Sequence, residues 1–226
     1  MLITKPGGEI AVVHTLNFAA SPVGRSQFHE YAKTPDGLPV ARGAAGNMFV
    51  SPYDACHNEH TTYMFSRWES EDAWDTYSQH RIKISPDWFR PMVEPQHILR
   101  LRELDSSPTI NSTQAPLYGA PTGSVCNFHI WQFDDVALRD EVNAFWGVEP
   151  GLPSSVSYPG NIIVSAFEAI DRENQLVVVS AWESEEVFLA YRQMRRDTAP
   201  DLVQRFLVDD VMVQSRIVDA DQRAFI

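Results

Sequence analysis

Two histidines lie in the middle of apolar, β-branched stretches, where an imidazole is shielded from water and able to move a proton. His14 lies within Ile10–Phe18, with Asn17 three residues beyond it, and His129 lies within Ser124–Phe133. A histidine whose pKa is near neutrality suits the removal of a proton from an activated carbon. Both histidines are therefore candidate bases, and Asn17 is a candidate substrate contact. The alternative for each histidine is a hydrogen-bonded core residue.

Aromatic residues recur at a fixed spacing in the two halves of the chain. The tetrapeptide Trp68–Glu71 (WESE) returns 114 residues later as Trp182–Glu185, and a tyrosine, Tyr77 or Tyr191, follows each tryptophan by nine residues. The tryptophans, together with Trp74, either line an aromatic substrate cleft or fill the core between helix and sheet. The tyrosines either donate a hydrogen bond to a substrate carbonyl, which stabilises an enolate, or pack on the sheet.

The repeated tetrapeptide predicts two related domains in one chain, at 1–105 and 124–226. Residues 106–123, rich in Ser, Pro, Thr and Gly, are predicted to be the linker between them. Each half has the predicted order strand, helix, strand, strand, helix, strand, which is the ferredoxin-like plan of an α+β fold. In the first half, Ser21-Pro22 is a predicted helix start, with Ser as the cap and Pro at the first helical position.

The strands that precede the repeated tetrapeptide are apolar without alternation. Leu176–Val179 contains three consecutive valines, and Thr62–Phe65 is nearly as apolar. A sheet with one solvated face alternates polar and apolar residues, so a continuous apolar run indicates that both faces are covered. The helices of each half cover one face, and the sheet of the other half most simply covers the second. The sequence therefore predicts two ferredoxin-like halves packed sheet to sheet as a closed, pseudo-dimeric α+β barrel.

The composition of the chain argues against several classes of protein. Its 226 residues carry a net charge of −12, which disfavours nucleic acid and anionic membranes as partners. No apolar run approaches the roughly 18 residues of a membrane span. The N-terminus lacks the pattern of a signal peptide. We therefore expect a cytoplasmic protein, in which the two cysteines, Cys56 and Cys126, are reduced thiols.

One predicted hairpin tip concentrates side chains that are able to bind metals. They are Asp54, Cys56, His57, Glu59 and His60. Their spacing matches no zinc motif, and a hairpin tip is polar for reasons of solvation alone, so we expect no metal site. The sequence also has no Gly-rich phosphate loop, no nucleophile elbow and no CxxC pair.

A strand that ends in Trp-Glu-Ser-Glu and leads into a helix, within a unit of about 100 residues, resembles the antibiotic biosynthesis monooxygenase (ABM) domain. That family is similar in fold to the wider group of dimeric α+β barrel proteins. The resemblance covers nearly the whole chain, twice over, and implies a fused pseudo-dimer. Members of the family include oxygenases that act on anthrone-type polyketide intermediates with O2 and without metal, flavin or haem. The family also resembles haem-degrading enzymes.

The resemblance assigns some residues and leaves others unmatched. Trp68 and Trp182 match the motif tryptophan of the polyketide oxygenases, whose asparagine four residues earlier is replaced here by Met64 and Val178. The first-strand asparagine of the family corresponds to Asn127 in the second half.

In the first half, the same asparagine corresponds to Val13 or His14, and the alignment of the halves places Phe128 opposite His14. The haem-degrading branch has a tryptophan at the position of Tyr77. It also has an iron-binding histidine where this chain has Asp87.

The leading hypothesis is a cofactor-independent monooxygenase that acts on an aromatic, polyketide-like (anthrone-type) small molecule with O2. Its predicted catalytic residues are His14, Trp68, Tyr77 and His129. Its predicted substrate contacts are Asn17, Trp74, Asn127, Trp182 and Tyr191. The alternatives are a haem-binding or haem-degrading protein and a non-catalytic small-molecule binder. Whether one half or both carry an active pocket, and whether the chain pairs into a further homodimer, stay open.

Overall fold

The computed structural model describes residues 7–19, 21–93, 97–108, 115–208 and 211–217. The strands of these residues are β1 (Ile10–Asn17), β2 (Asn47–Ala55), β3 (Thr61–Trp68), β4 (Ile98–Glu103), β5 (Val125–Gln132), β6 (Asn161–Ala169), β7 (Gln175–Trp182) and β8 (Val211–Ile217). The helices are α1 (Arg25–Ala32), α2 (Leu38–Arg42), α3 (Glu71–Ile84), α4 (Val136–Trp146), α5 (Leu152–Val156), α6 (Glu185–Thr198) and α7 (Asp201–Val208). A 3₁₀ turn covers Arg90–Val93.

The strands join into one closed antiparallel barrel in the order β1-β3-β2-β8-β5-β7-β6-β4. The two halves meet at two seams, where β4 pairs with β6 and β2 pairs with β8. The element order of the first half recurs in the second. The predicted fold class, two ferredoxin-like units that form a pseudo-dimeric α+β barrel, is confirmed. The boundaries of the two domains and of the linker stay a prediction.

The consecutive valines of β7 fill both faces of the sheet. Val177 and Val179 point into the barrel, where they join a cluster that includes Phe65 and Phe128, whose ring centroids lie 5.6 Å apart. Val178 belongs instead to the layer between the sheet and the helices. This division confirms the inference from the continuous apolar run, because each face of the strand has a different cover.

Part of the predicted linker contributes to the barrel core. Ala115 and Leu117 are each only 4% exposed and pack against the interior cluster. Cys126 is buried in the same cluster, and Cys56 packs near Trp182. Both cysteines are free thiols.

The repeated tetrapeptide makes the same contacts in each half. Ser70 caps α3, with its Oγ accepting the backbone N–H of Ala73 at 3.1 Å, and Glu69 donates its N–H to the Gly46 carbonyl at 2.8 Å. In the second half, the Ser184 Oγ accepts the N–H of Val187 at 3.2 Å, and Glu183 donates its N–H to the Gly160 carbonyl at 2.9 Å. The tetrapeptide therefore fixes where the long helix starts and ties it to the loop that precedes the second strand of each half.

The start of α1 differs from the prediction. The helix begins at Arg25, after an extended Gly24, and not at Ser21-Pro22. The Ser21 Oγ accepts the backbone N–H of Val23 at 3.2 Å, which forms a local turn and delays the helix by one turn. The short helices α2 and α5 were also not predicted, because five residues are too few to show a helical period.

The strand register corrects the alignment of the two halves. His14 pairs with Met64, and His129 pairs with Val178, which is the residue equivalent to Met64 114 positions later. His129, and not Phe128, is therefore the counterpart of His14. By the same register, Asn127 corresponds to Val12, and not to Val13 or His14. The error arose because the first strands of the halves are 115 residues apart, whereas the repeated tetrapeptides are 114 apart.

A glycine before the second strand of each half holds the long helix against the sheet, and its replacement tests this contact. Gly46 has a φ of +76°, and a Cβ added there would lie 2.7 Å from the Cβ of Ala73 on α3. We expect Gly46→Ala to lower the free energy of unfolding by about 2 kcal/mol or more, because backbone strain and a clash add.

The control for this prediction is Gly119→Ala. Gly119 has a φ of +72°, but nothing lies within 4 Å of an added Cβ, so only the backbone cost of about 1 kcal/mol applies. Urea unfolding of both variants gives the comparison. Equal losses at the two positions would show that the contact with α3 is unimportant.

Candidate active site

A large cavity lies between the outer face of the first-half sheet and the helices that cover it. Its volume is about 1040 Å³. The floor is formed by Val12, His14, Met64, Ser66 and Trp68 of β1 and β3, which share one face because they are paired directly across the strands. The walls come from α1, α2 and α3, and include Phe28, Tyr31, Ala32, Leu38, Ala41, Trp74, Tyr77 and Arg81, with Phe89 after α3. The lining is therefore mostly apolar and aromatic, with a few polar groups, as in sites for small molecules.

His14 lies on the cavity floor with its hydrogen-bonding state fixed. It is 9% exposed, and its Nε2 lies 2.5 Å from the Met92 carbonyl oxygen. A carbonyl only accepts, so Nε2 carries the proton and Nδ1 carries the lone pair. Burial is the main reason why the pKa of His14 falls from 6.5 to about 4; the hydrogen bond to Met92 opposes this fall, and electrostatic interactions with His97 and Arg81 add to it. The imidazole is thus a neutral proton acceptor at pH 7, and the expectation of a pKa near neutrality is not met.

Tyr77 and Trp74 lie on the walls of the cavity, and Trp68 lies on its floor beneath them. The Trp68 indole is fully buried, stacks on the Tyr77 ring at 4.8 Å and donates from Nε1 to the Ser66 Oγ at 2.9 Å. Trp182 makes the same bond to Ser180 at 3.0 Å. These are the contacts of core residues that support a cleft. Burial raises the pKa of Tyr77 to about 12, so its hydroxyl stays protonated and able to donate.

The second half contributes to the outer end of this cavity. Arg100 of β4 donates to Asp171, which lies in the turn between β6 and β7, with an Nε–Oδ2 distance of 2.8 Å. Arg100 also lies 3.6 Å from Asp75 of α3. Asp171 and Arg172 line the cavity along with Arg100 and Asp75. The first-half cavity is therefore completed by a hairpin of the other half.

The equivalent space in the second half is filled. Its remaining cavity is about 70 Å³. Trp146 is the last residue of α4 and lies six residues before the start of α5. Ala32 is its equivalent in the first half, because it is the last residue of α1 and lies six residues before the start of α2. The Trp146 indole contacts Trp131 at a centroid distance of 5.1 Å, and both line what is left of the cleft. One indole side chain in place of a methyl group therefore fills part of the space that is open in the first half.

The predicted site residues of the second half lie around this filled cleft. His129, Trp182 and Tyr191 line it, and the His129 ring lies 5.8 Å from that of Phe188. Burial raises the pKa of Tyr191, whose hydroxyl is hydrogen-bonded to the Ser155 hydroxyl.

Two predicted substrate contacts, Asn17 and Asn127, line neither the large cavity nor the cleft of the second half. Asn17 is exposed at the end of β1, where its Oδ1 accepts the N–H of Ala19 at 3.0 Å. Asn127 is fully buried, and its amide has no hydrogen-bond partner among the described residues. It lies in the half whose cleft is filled, and Val12 takes its place in the large cavity. The family-like asparagine, Asn127, therefore lies in the second half, whereas the large cavity lies in the first half.

Several cavity residues were missed from the sequence. Phe28, Tyr31, Arg81 and Phe89 all line the large cavity. The rings of Phe28 and Phe89 are stacked at 6.0 Å, and the Arg81 guanidinium lies 5.1 Å from the Phe89 centroid. The 114-residue spacing of the repeated tetrapeptides would have singled out Arg81, since it places Arg195 at the equivalent position, four residues after the repeated tyrosine.

The potential metal ligands of the β2–β3 hairpin tip have separate partners. Asp54 accepts from Thr62 at 2.6 Å and from His29 at 3.1 Å, and His57 lies 3.0 Å from Glu185. Within the described ranges, no group of three or more His, Cys, Asp or Glu residues is arranged to hold a metal ion.

Comparison with known proteins identifies the fold but not a family. No protein-family profile matches the sequence, and no curated protein matches it. The solved structures that it resembles include an anthrone oxidase-like protein, with 15% identity, a TM-score of 0.61, and coverage of 99% of this chain and 98% of the other. They also include a haem-binding protein from Thermus thermophilus, with 12% identity, a TM-score of 0.58, and coverage of 100% of this chain and 97% of the other. A third is chlorite dismutase from Candidatus Nitrospira defluvii, with 9% identity, a TM-score of 0.54, and coverage of 98% of this chain and 96% of the other.

These likenesses show that the chain has the fold of the dimeric α+β barrel proteins, over its whole length. At such low identity they show nothing finer. The narrower resemblance to the ABM family stays a prediction. Among the described residues, no helix is long and apolar enough to cross a membrane.

The size of residue 32 is predicted to decide whether the first-half cavity accepts a ligand. A small aromatic compound, 2-naphthoate, serves as the probe ligand for this cavity. We expect Ala32→Trp to weaken its binding by about tenfold or more, because the indole would occupy space that Trp146 fills in the second half. Isothermal titration calorimetry measures the change. The reciprocal variant, Trp146→Ala, should cost about 3–5 kcal/mol of stability and open a second cavity. Unchanged binding of 2-naphthoate by Ala32→Trp would contradict the assignment of the first-half cavity as the ligand-binding site.

The burial of His14 predicts a pH-dependent stability. Between pH 6.5 and 4 the unfolded chain binds a proton at this position and the folded chain does not, so stability falls as the pH is lowered through this window. The loss is about 3 kcal/mol for the full shift. His14→Gln keeps a donor for the Met92 carbonyl but does not titrate, so urea unfolding of this variant should lack that loss.

The control for this prediction is His80→Gln, because His80 is exposed. It should keep the pH dependence of the wild-type protein. If His14→Gln showed the same dependence as the wild type, His14 would not be the titrating group.

Proposed function

We propose that this protein is a cofactor-independent monooxygenase that oxidises an aromatic, anthrone-type small molecule with O2 in the first-half cavity. The observation that carries the proposal is the large aromatic cavity, which combines the neutral imidazole of His14 with the protonated hydroxyl of Tyr77. One group accepts a proton and the other stabilises the negative charge that this leaves behind. The shared fold with an anthrone oxidase-like protein supports the proposal.

The reaction begins with the removal of a proton from an activated methylene carbon by Nδ1 of His14. The carbanion passes one electron to O2, and the substrate radical and superoxide combine into a peroxide anion. The protonated imidazole returns its proton to this anion, which gives the hydroperoxide, and loss of water with the remaining hydrogen of that carbon leaves a carbonyl group. One oxygen atom ends in the product and the other in water. The methylene carbon supplies all four electrons, so no external reductant is required.

The lowered pKa of His14 sets the conditions for this step. The imidazole is unprotonated throughout the neutral range, so the whole population of the protein is competent to accept a proton. The imidazolium is disfavoured by burial, but the carbanion formed beside it supplies a compensating charge. We therefore expect kcat/KM to show no loss from His14 protonation until the pH falls well below 6.5.

Haem binding is the second candidate, because proteins of the same fold include a haem-binding protein. Only part of the cavity fits haem. The Nε2 of His14 is engaged with the Met92 carbonyl, which leaves Nδ1 as the one ring nitrogen that could bind iron. Arg100 at the outer end is already paired with Asp171 and Asp75, so two propionate groups would meet carboxylates there.

The test is oxygen uptake by metal-free protein with dithranol, a small anthrone, while quinone formation is followed by absorbance. We expect turnover above the spontaneous rate, one quinone per O2 consumed, and no effect of a chelator. His14→Gln should lower kcat/KM by about 100-fold or more, because general-base catalysis typically contributes that much. His80→Gln is the matched control and should keep full activity.

Two results would contradict the proposal. One is a rate equal to the spontaneous rate for dithranol and for related anthrones. The other is full activity of His14→Gln. A hemin titration distinguishes the second candidate, because bound haem would shift the Soret band and the shift would depend on His14.

A further inference from the structure

Arg81 is a buried cation on the wall of the first-half cavity. Its side chain is 8% exposed, and its Nη1 donates to the Asp36 carbonyl at 2.5 Å. The guanidinium also lies 5.2 Å from the centroid of Tyr31 and 5.1 Å from that of Phe89. Tyr77 lies four residues earlier on the same helix, so both side chains occupy one face of α3.

No carboxylate pairs with Arg81 among the described residues. The acidic side chains that line the cavity are Asp75 and Asp171, and both pair with Arg100. Removing a cation from water without a counter-charge is unfavourable, and one carbonyl, the Tyr31 hydroxyl and two ring faces offset part of that cost. The cavity therefore contains positive charge without a negative partner.

The second half shows how the same two side chains are satisfied when there is no cavity. Arg195, the equivalent of Arg81, donates to the Pro150 carbonyl and lies 3.3 Å from the Ser154 hydroxyl. Tyr191, the equivalent of Tyr77, is hydrogen-bonded to the hydroxyl of Ser155. Two adjacent serines of α5 thus serve the two donors of α6.

The short helix α2 of the first half has no such hydroxyls. The residues of α2 at the positions of Ser154 and Ser155 are Val40 and Ala41. Ala41 lines the cavity together with Tyr77 and Arg81. Among the described residues, no side chain of α2 takes the place of the two serines as an acceptor for the Tyr77 hydroxyl or for the N–H groups of Arg81. The Tyr31 hydroxyl of α1 is hydrogen-bonded to Arg81, so the guanidinium is satisfied in part. Tyr77 and Arg81 both line the space that a ligand would occupy.

We propose that Tyr77 and Arg81 together bind an anionic oxygen on an aromatic ligand, in the place that the hydroxyls of Ser154 and Ser155 hold in the second half. The ligand class is an aromatic ring system with a carboxylate, phenolate or enolate oxygen attached to it. The aromatic walls receive the ring, and a charge-assisted hydrogen bond fixes the oxygen. The inference rests on the proposed function, since it concerns the same site and names its substrate class, but binding is measurable without turnover.

The first experiment compares 2-naphthoate with the neutral 2-naphthamide at neutral pH by isothermal titration calorimetry. The two ligands have the same ring and nearly the same shape. We expect the wild-type protein to bind the anion about tenfold more tightly, and Arg81→Met to abolish that preference. The matched control is Arg195→Met, which removes a carbonyl contact of the same kind but borders no comparable cavity, and should keep the preference. Equal binding of the two ligands by the wild type would overturn the proposal.

A second pair of variants exchanges the hydroxyls between the halves without removing a charge. Val40→Ser/Ala41→Ser should satisfy the two donors internally and reduce the preference for the anion to about twofold or less. Ser154→Val/Ser155→Ala makes the reverse change in the second half and should leave naphthoate binding at the first cavity unchanged. This pair keeps the proposal testable if Arg81→Met fails to fold. An undiminished preference in Val40→Ser/Ala41→Ser would overturn it.

The outcomes separate this inference from the proposed function. Selective binding of naphthoate without oxygen uptake on anthrones would support the anion site and contradict the oxygenase. Oxygen uptake that is retained, with no preference for the anion, would support the oxygenase and contradict the anion site.

Discussion

The closure of the barrel at two seams is the constraint on which the rest of the structure depends. Because β4 pairs with β6 and β2 pairs with β8, every strand has two neighbours and no edge of the described barrel is left open. The barrel interior is mostly apolar and includes Phe128 and the alternate valines of β7. It also encloses a buried ion pair, Arg67–Glu103 at 2.9 Å, on the strand faces that carry Phe65 and Leu101. The candidate site lies on the outer face, beneath the helices, with His14 on its floor.

On that outer face the two halves have the same framework and different contents. The tetrapeptide cap, the glycine that holds the long helix and the arginine that binds a turn carbonyl recur in both. One difference is the residue that ends the first helix, which is Ala32 in the first half and Trp146 in the second. The cavity is about 1040 Å³ in the first half and about 70 Å³ in the second. The two halves therefore differ in the cavity volume beneath their helices, and not in the contacts that hold those helices on the sheet.

The fold was predictable because it rests on patterns that repeat along the sequence, namely the WESE tetrapeptide and the continuous apolar strands. The candidate site was predictable only in part. His14 and Tyr77 stood out by residue type, but Arg81 has the spacing of an ordinary surface residue on an amphipathic helix, and only the fold shows that it is buried. Asn17 was placed near His14 by sequence proximity, although the end of β1 turns it away from the cavity. The importance of Ala32 was invisible, because a small side chain has no signal until its surroundings are known.

The contrast between Ala32 and Trp146 has a consequence for how such a barrel changes over time. In an assembly of two identical chains, any substitution is installed on both sides of the symmetry axis, so a cleft is lost twice or not at all. A single chain with two similar halves is free of that rule. A substitution in one half is able to fill the cleft of that half alone, and the additional buried indole then stabilises the fold. The other half keeps the space, and a hairpin from its filled partner forms part of the wall.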